Sequence, residues 1–223
     1  MDYDSLLELV KKRRSIRRFK PDPIPDESVE KIIDVARWAP SGLNIQPWEF
    51  VVVKDRELKE RIVKLSEAGG PLPRDPMDFS NAPVYIILLG DPRTKAGLPP
   101  RLAANNEMNQ PVFNSSLASA FLYMHLAAAA LGLASQWMSR VGLPFMQPEL
   151  KKLLGIPEGF QVYDMMVVGY PAIKAREKLL RPKDKMIHYG AAEKDDFRTD
   201  EEVEDFANRT RTWAMATIGR DKD

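Results

Sequence analysis

Cysteine is absent from the 223-residue chain, and histidine occurs only as His125 and His188. The first absence excludes disulfides, thiol catalysis, iron–sulfur clusters and any cysteine-bearing zinc site. The second leaves little material for a metal centre or a histidine-based triad. Net charge is nearly missing too: 33 basic against 32 acidic residues leave +1. No global field therefore draws the chain to nucleic acid or an acidic membrane. No G-x-G-x-x-G follows a strand and no P-loop occurs, so NAD on a Rossmann motif and ATP on a Walker motif are unsupported. What is present is ordinary for a soluble protein of one large domain or two small ones, with 44% apolar and 29% charged residues.

Charge vanishes altogether between Met108 and Ser139. The inner stretch SSLASAFLYMHLAAAALGL, 115–133, approaches the ~20 residues that span a bilayer. Its histidine, serines and alanines make a weak lipid-facing surface, so a fully buried helix is expected and no membrane partner. Ser119, Ala120 and Ala127 to Ala130 let another backbone come close. A helix apolar all round needs neighbours on every side, and a dimer interface would supply the missing one. The start, MDYDSLLELVKKRRS, is acidic first and basic later. A secretory signal has the reverse order, so a cytoplasmic protein is expected.

Hydrophobic spacing predicts helices over 4–13, 26–39 and 57–67, and strands over about 48–53 and 84–90. The run VYIILLG reads as a central strand buried on both faces. Residues 91–112, rich in proline, glycine and asparagine, read as a long irregular segment, and 69–81 as a second lid-like one. SQWMS (135–139) reads as a strand, PELKKLLG (148–155) as a helix closed by glycine, and QVYDMMVVGY (161–170) as a strand. Helices and strands alternate without a regular βαβ repeat, which favours α+β. Thr199 and Glu202 have capping-box spacing at the head of a last helix, 199–219.

Two stretches could carry chemistry. KKRRSIRRFK, 11–20, has seven basic residues in ten. It reads as a solvated helix end whose cations suit the C-terminal dipole, as a nucleic-acid or targeting patch, or as a phosphate site of arginines and Ser15. APSGLNIQPWEF, 39–50, reads as a loop of good turn formers or as an amide-bearing rim for a flat ring. An arginine cluster and an amide-rich loop together point to a nucleotide-like ligand. His125 and His188 read as structural, and Phe79, Met108, Asn109 and Phe113 as core or loop with a chance of lining a pocket.

RRSIRRF (13–19) followed by APSGLNIQPW (39–48), with ALGLASQWMS (130–139) and GIPEGFQVYDMMVVGYPA (155–172) downstream, resembles the FMN-dependent nitroreductase family over roughly residues 5 to 190. The resemblance implies a mixed, mainly antiparallel sheet flanked by helices, in an intertwined, domain-swapped homodimer with FMN at each of two interface sites. The FMN-binding domain would span 1–190, and 191–223 would be a helical arm packed on the partner subunit. Arg13, Arg14, Ser15 and Arg17 match the grip on the FMN phosphate, ribityl chain and pyrimidine edge. Pro40, Ser41 and Gly42 match the partner's contact with the isoalloxazine, with Asn44 and Gln46 in the same loop as hydrogen-bonding candidates. Trp137, Met138 and Ser139 match the backbone donors near flavin O4 and N5. The C-terminal phosphate residue would be Arg181 or Lys178, with Leu179 and Leu180 standing where the family shows part of its basic pattern. The long apolar helix matches the family's central interface helix.

The activity so implied is NAD(P)H oxidation with ping-pong hydride transfer to nitroaromatics, quinones or related small-molecule electrophiles. The flavin carries the chemistry, so no catalytic side chain and no metal is expected. Alternatives on the same scaffold are reductive dehalogenation and oxidative flavin cleavage. A flavin carrier that never turns over is a rival of another class. So is a nucleic-acid-binding module, which near-zero net charge disfavours.

Overall fold

A computed structural model describes residues 2–68, 79–175 and 177–219. Two compact units divide at Lys174/Ala175. The first is built on a four-stranded sheet of order β1-β2-β4-β3, with β1 Trp48–Val53, β2 Val84–Gly90, β3 Ala134–Met138 and β4 Gln161–Gly169. All three pairings are antiparallel. β2 is buried along its whole length, as its unbroken apolar run requires of a central strand.

Alternation along the strands sorts side chains into two cores. Val84, Ile86, Leu88, Met166 and Val168 face α2 (Asp26–Arg37) and α5 (Asn106–Ala130), meeting Ile32, Ala36, Phe113, Leu117, Phe121 and Met124. Tyr85, Ile87, Leu89, Met165 and Val167 face the other way, onto Ile62 of α3 (Arg56–Ala68) and Leu150 of α6 (Gln147–Leu154). The sheet is thus sandwiched between helical layers. Val29, Ile32 and Ala36 of α2 are buried, as their helical spacing predicts. Gly155 closes α6 in the left-handed conformation at φ 66°.

α5 begins earlier than the sequence predicts. Residues 106–112, expected to be irregular, form its first turns after a short helix α4 (Pro100–Ala103). The Asn105 side chain accepts from the Met108 N–H at 3.2 Å and caps the start. Pro111 lies inside the helix. α5 is not apolar on every side in its surroundings: one face is core, while Met108 and Leu122 are exposed. By length and composition it is long enough to cross a membrane; in this fold it is the central core helix. α1 (Tyr3–Lys12) buries none of its residues, and Leu6 and Val10 stand exposed. Of the lid-like stretch 69–81, residues 69–78 lie outside the described residues.

The second unit, Ala175–Asp223, carries the helix α7 (Asp200–Gly219). Its head is a capping box: the Thr199 N–H donates to Glu202 Oε2 at 3.0 Å, and the Glu202 N–H to Thr199 Oγ1 at 3.3 Å. Trp213 Nε1 donates to the Glu177 carbonyl at 3.2 Å.

Candidate functional site

The basic segment lies along the open edge of β3. Ser15 pairs with Ser135 in an isolated parallel bridge, and the Ile16 N–H donates to the Ser135 carbonyl at 3.1 Å. Further on, the Lys20 N–H donates to Tyr170 O at 2.9 Å and the Ala172 N–H to Arg18 O at 3.0 Å. Ile16 and Phe19 are buried in the core under α3 and α6. Two apolar plugs and these backbone bonds fix the segment, and they leave its arginines half-buried between.

The arginines differ in use. Arg14 is folded back onto its own helix, where Nη1 donates to the Lys11 carbonyl and, at 2.9 Å, to Arg13 O. Arg13 and Arg17 have no carboxylate within ion-pair reach among the described residues. Arg17 Nε is buried without a hydrogen-bond partner. Burial, and then the charge of Arg14, hold the Arg13 guanidinium below the usual arginine range. Each of these part-desolvated cations lacks a counter-ion, and an anion would restore hydrogen bonds and charge balance to it. Ser15 is exposed beside them.

β3 supplies the neighbouring surface. Residues two apart in an antiparallel strand turn their N–H and C=O groups to the same side. Ser135 uses that side to bind Ile16, so Trp137 offers its backbone to the same edge, beyond the bridge. Met138 is buried on the opposite face, and Ser139 opens a short 3-10 turn. The Trp137 indole is stacked on His125 at 5.4 Å and 3°. Phe121 meets it edge-on at 4.5 Å, and its Nε1 donates to Asp164 Oδ2 at 2.5 Å. His125 Nδ1 shares a 2.7 Å bond with Ser135 Oγ. Burial first, and the nearby Arg13 charge second, push the His125 pKa down to about 3, so the ring is neutral. Arg13, Ser135, His125 and Trp137 thus form one neighbourhood.

The amide-bearing loop forms a second. Leu43, Asn44 and Gln46 all have positive φ, at 52°, 56° and 43°. Asparagine tolerates this; for leucine and glutamine it costs roughly 1–2 kcal/mol each. The Ser41 carbonyl accepts from the Asn44 N–H at 3.0 Å, the Gly42 carbonyl from Ile45 at 3.2 Å, and Ser41 Oγ from the Gln46 N–H at 3.1 Å. The Gly42 N–H donates to Ser116 Oγ of α5 at 3.1 Å. A Cβ at residue 42 would lie 2.1 Å from Val112 Cγ1, which is why glycine stands there. Pro40 and the side chains of Leu43, Asn44 and Gln46 are exposed. Strain held in place around exposed polar groups is an arrangement that a binding loop could use.

The two neighbourhoods are anchored at different points of α5, one at Ser116 and the other at His125, nine positions further on and about 14 Å along the axis. Lys178 and Arg181 belong to the second unit. There Lys178 is exposed, and Arg181 Nη2 donates to the Lys185 carbonyl at 2.9 Å. Ser135, Asp164, Ser116 and Val112 escape sequence reasoning. Only Asp164 leaves a trace, as one carboxylate in the otherwise apolar run MMVVG and its upstream strand.

An Archaeoglobus fulgidus protein named for NADH dehydrogenase and NAD(P)H nitroreductase is 32% identical over 168 residues, covering 75% of this chain and 86% of the relative. Iodotyrosine deiodinase of Thermotoga neapolitana is 30% identical over 176 residues, covering 74% and 88%. Among solved structures, an FMN-dependent nitroreductase from Clostridium difficile superposes with a TM-score of 0.65 at 26% identity, covering 83% of this chain and 99% of that one. The structure of Bacillus megaterium NfrA2, at 22% identity, matches the fold with a TM-score of 0.76 over 100% of this chain and 87% of its own. The model of the Nitroreductase family matches residues 10–170, and the chain belongs to that family.

Proposed function

We propose that the chain is an FMN-dependent NAD(P)H oxidoreductase that works as a homodimer and reduces nitroaromatics, quinones or related electrophiles. The observation that carries this reading is the pair of unpaired, half-buried guanidiniums of Arg13 and Arg17 beside the open backbone edge of Trp137. The buried Arg17 Nε without a partner fits an oxyanion ligand. FMN, when bound, supplies hydride chemistry, taking it from NAD(P)H and passing it to the acceptor in ping-pong order.

The chain's own residues bind and orient. Arg13 and Arg17 neutralise the phosphate and the pyrimidine edge, with Ser15 adding a hydroxyl. Trp137 and Ser139 offer backbone donors to the ring where negative charge develops on reduction, while the Met138 backbone turns to β4. Pro40, Ser41 and Gly42, with the exposed amides of Asn44 and Gln46, close the partner's site rather than their own. The spacing along α5 supports this. So do the unburied apolar faces of α1 and α5, at Leu6, Val10, Met108 and Leu122, which a second copy would cover.

The visible spectrum of the purified protein, followed by anaerobic NADH or NADPH, tests the reading. Flavin bands near ~450 nm that bleach support it. A protein that neither carries nor takes up FMN overturns it, and a yellow protein that never bleaches makes it a carrier. Reductive dehalogenation is the second reading, favoured by the likeness to iodotyrosine deiodinase. Reoxidation of the reduced protein by a halophenol rather than a nitroaromatic would select it.

A further inference from the structure

Asp164 is out of place as a structural residue. It is 8% exposed and has no cation within ion-pair reach among the described residues. It sits beside a register break in which β4 spends one extra residue, Tyr163, between the partners of Leu88 and Leu89. It lies opposite Leu88, in line with Met166 and Val168, on the core face toward α5. An apolar side chain there would continue that row. Removing a carboxylate from water with neither a cation nor several donors is costly, and a buried charge of this kind is often replaced by a hydrophobe with no loss of stability. The fold alone does not explain the residue.

What Asp164 does have is Trp137. The His125 stack and the Phe121 edge flank the indole through contacts of little direction. The 2.5 Å bond from Nε1 to Oδ2 adds the directional restraint. Trp137 is also the residue whose backbone faces the open edge of β3, next to the unpaired arginines. We propose that Asp164 is a positioning residue: it holds the Trp137 indole, and through it the β3 edge, in the geometry that receives the flavin ring. This rests on the flavin-binding reading above and names a residue that sets its affinity.

Its signature is a split between stability and binding. Full-length Asp164→Leu is expected to keep or raise the melting temperature while weakening FMN binding about tenfold or more, the value of one charge-assisted hydrogen bond. Asp164→Asn keeps an acceptor for the indole and should stay near wild type. In a Trp137→Phe background, Asp164→Leu should change FMN affinity no further, since the bond it breaks is already gone. The Trp137 indole proton, followed by NMR in the protein without flavin, should exchange slowly in wild type and rapidly in Asp164→Leu. Unchanged FMN affinity in Asp164→Leu, additive effects in the double variant, or unchanged indole exchange each overturn the assignment. A wild-type protein that binds no FMN sinks the flavin reading itself, and indole exchange then still decides whether Asp164 holds Trp137.

Discussion

The His125 imidazole lies parallel to the Trp137 indole, 5.4 Å between centroids and 3° between planes, with its Nδ1 bonded to Ser135 Oγ at 2.7 Å. Burial, rather than the stack, is what keeps this histidine uncharged. Burial with a cation nearby pushes the His125 pKa from 6.5 down to about 3. As pH falls below 6.5 the unfolded chain takes up a proton that the native state refuses, so this group makes stability fall between pH 6.5 and about 3. Asp164 acts in the opposite sense: burial, partly offset by the indole bond, raises its pKa from 3.8 to about 6. Across that window the native state holds the extra proton, so its contribution to stability falls as pH rises. Denaturant unfolding at pH 4 and pH 7 should therefore show a smaller acid loss in His125→Gln, and a larger one in Asp164→Asn, than in wild type.

The three arginines should separate by use. Arg13→Glu and Arg17→Glu are expected to weaken FMN binding by about tenfold to a hundredfold, since each removes a charge-assisted contact. Arg14→Ala should act mainly on the end of α1, costing about 0.5–1 kcal/mol of stability, with a smaller effect on flavin. Fluorescence titration of FMN with each variant checks the order. Equal losses at all three positions would refute it.

Gly42→Ala should destabilise the protein by about 1–3 kcal/mol, because the new methyl group collides with a stiff β-branched side chain. Val112→Ala in the same chain should restore much of the loss. Thermal melts of the single and double variants measure this. A rescue would place the cost at the contact between loop and helix rather than in the loop's own backbone.

Leu122→Glu, on the exposed face of α5, is expected to yield a folded monomer that has lost most of its flavin. The phosphate neighbourhood of one protomer would then lack the other's loop. Size-exclusion chromatography, circular dichroism and the visible spectrum together test this. A folded monomer holding FMN as tightly as wild type would overturn the shared site.

Much of this architecture is legible in the sequence where periodicity is strong. Trp48–Val53 and Val84–Gly90 stand out because one is rich in β-branched and aromatic residues and the other is an unbroken apolar run. The start of α5 is hidden because its amides and Pro111 look like loop. Their reason is tertiary. Asn109 Nδ2 donates to the Leu102 and Ala103 carbonyls at 3.3 and 3.0 Å, and Gln110 links to Asn114 and Gln161 at 2.9 and 3.1 Å. The arginine cluster is legible as charge, yet only the structure separates Arg14, spent on its own helix, from Arg13 and Arg17. Strand order and the partnership of Asp164 with Trp137 depend on pairing residues far apart in sequence, which local pattern does not encode.

α5 ties the loop at Ser116 and the indole stack at His125 to one rigid rod. Each residue of a helix advances the chain by about 1.5 Å and turns it by about 100°. Deleting or inserting a single residue between 117 and 124 would swing one anchor off its partner while the other stayed engaged. Length variation in this protein should therefore be barred from the middle of α5 and admitted in the 3-10 and short-helix segment before it, Pro92–Gly97 and Pro100–Ala103.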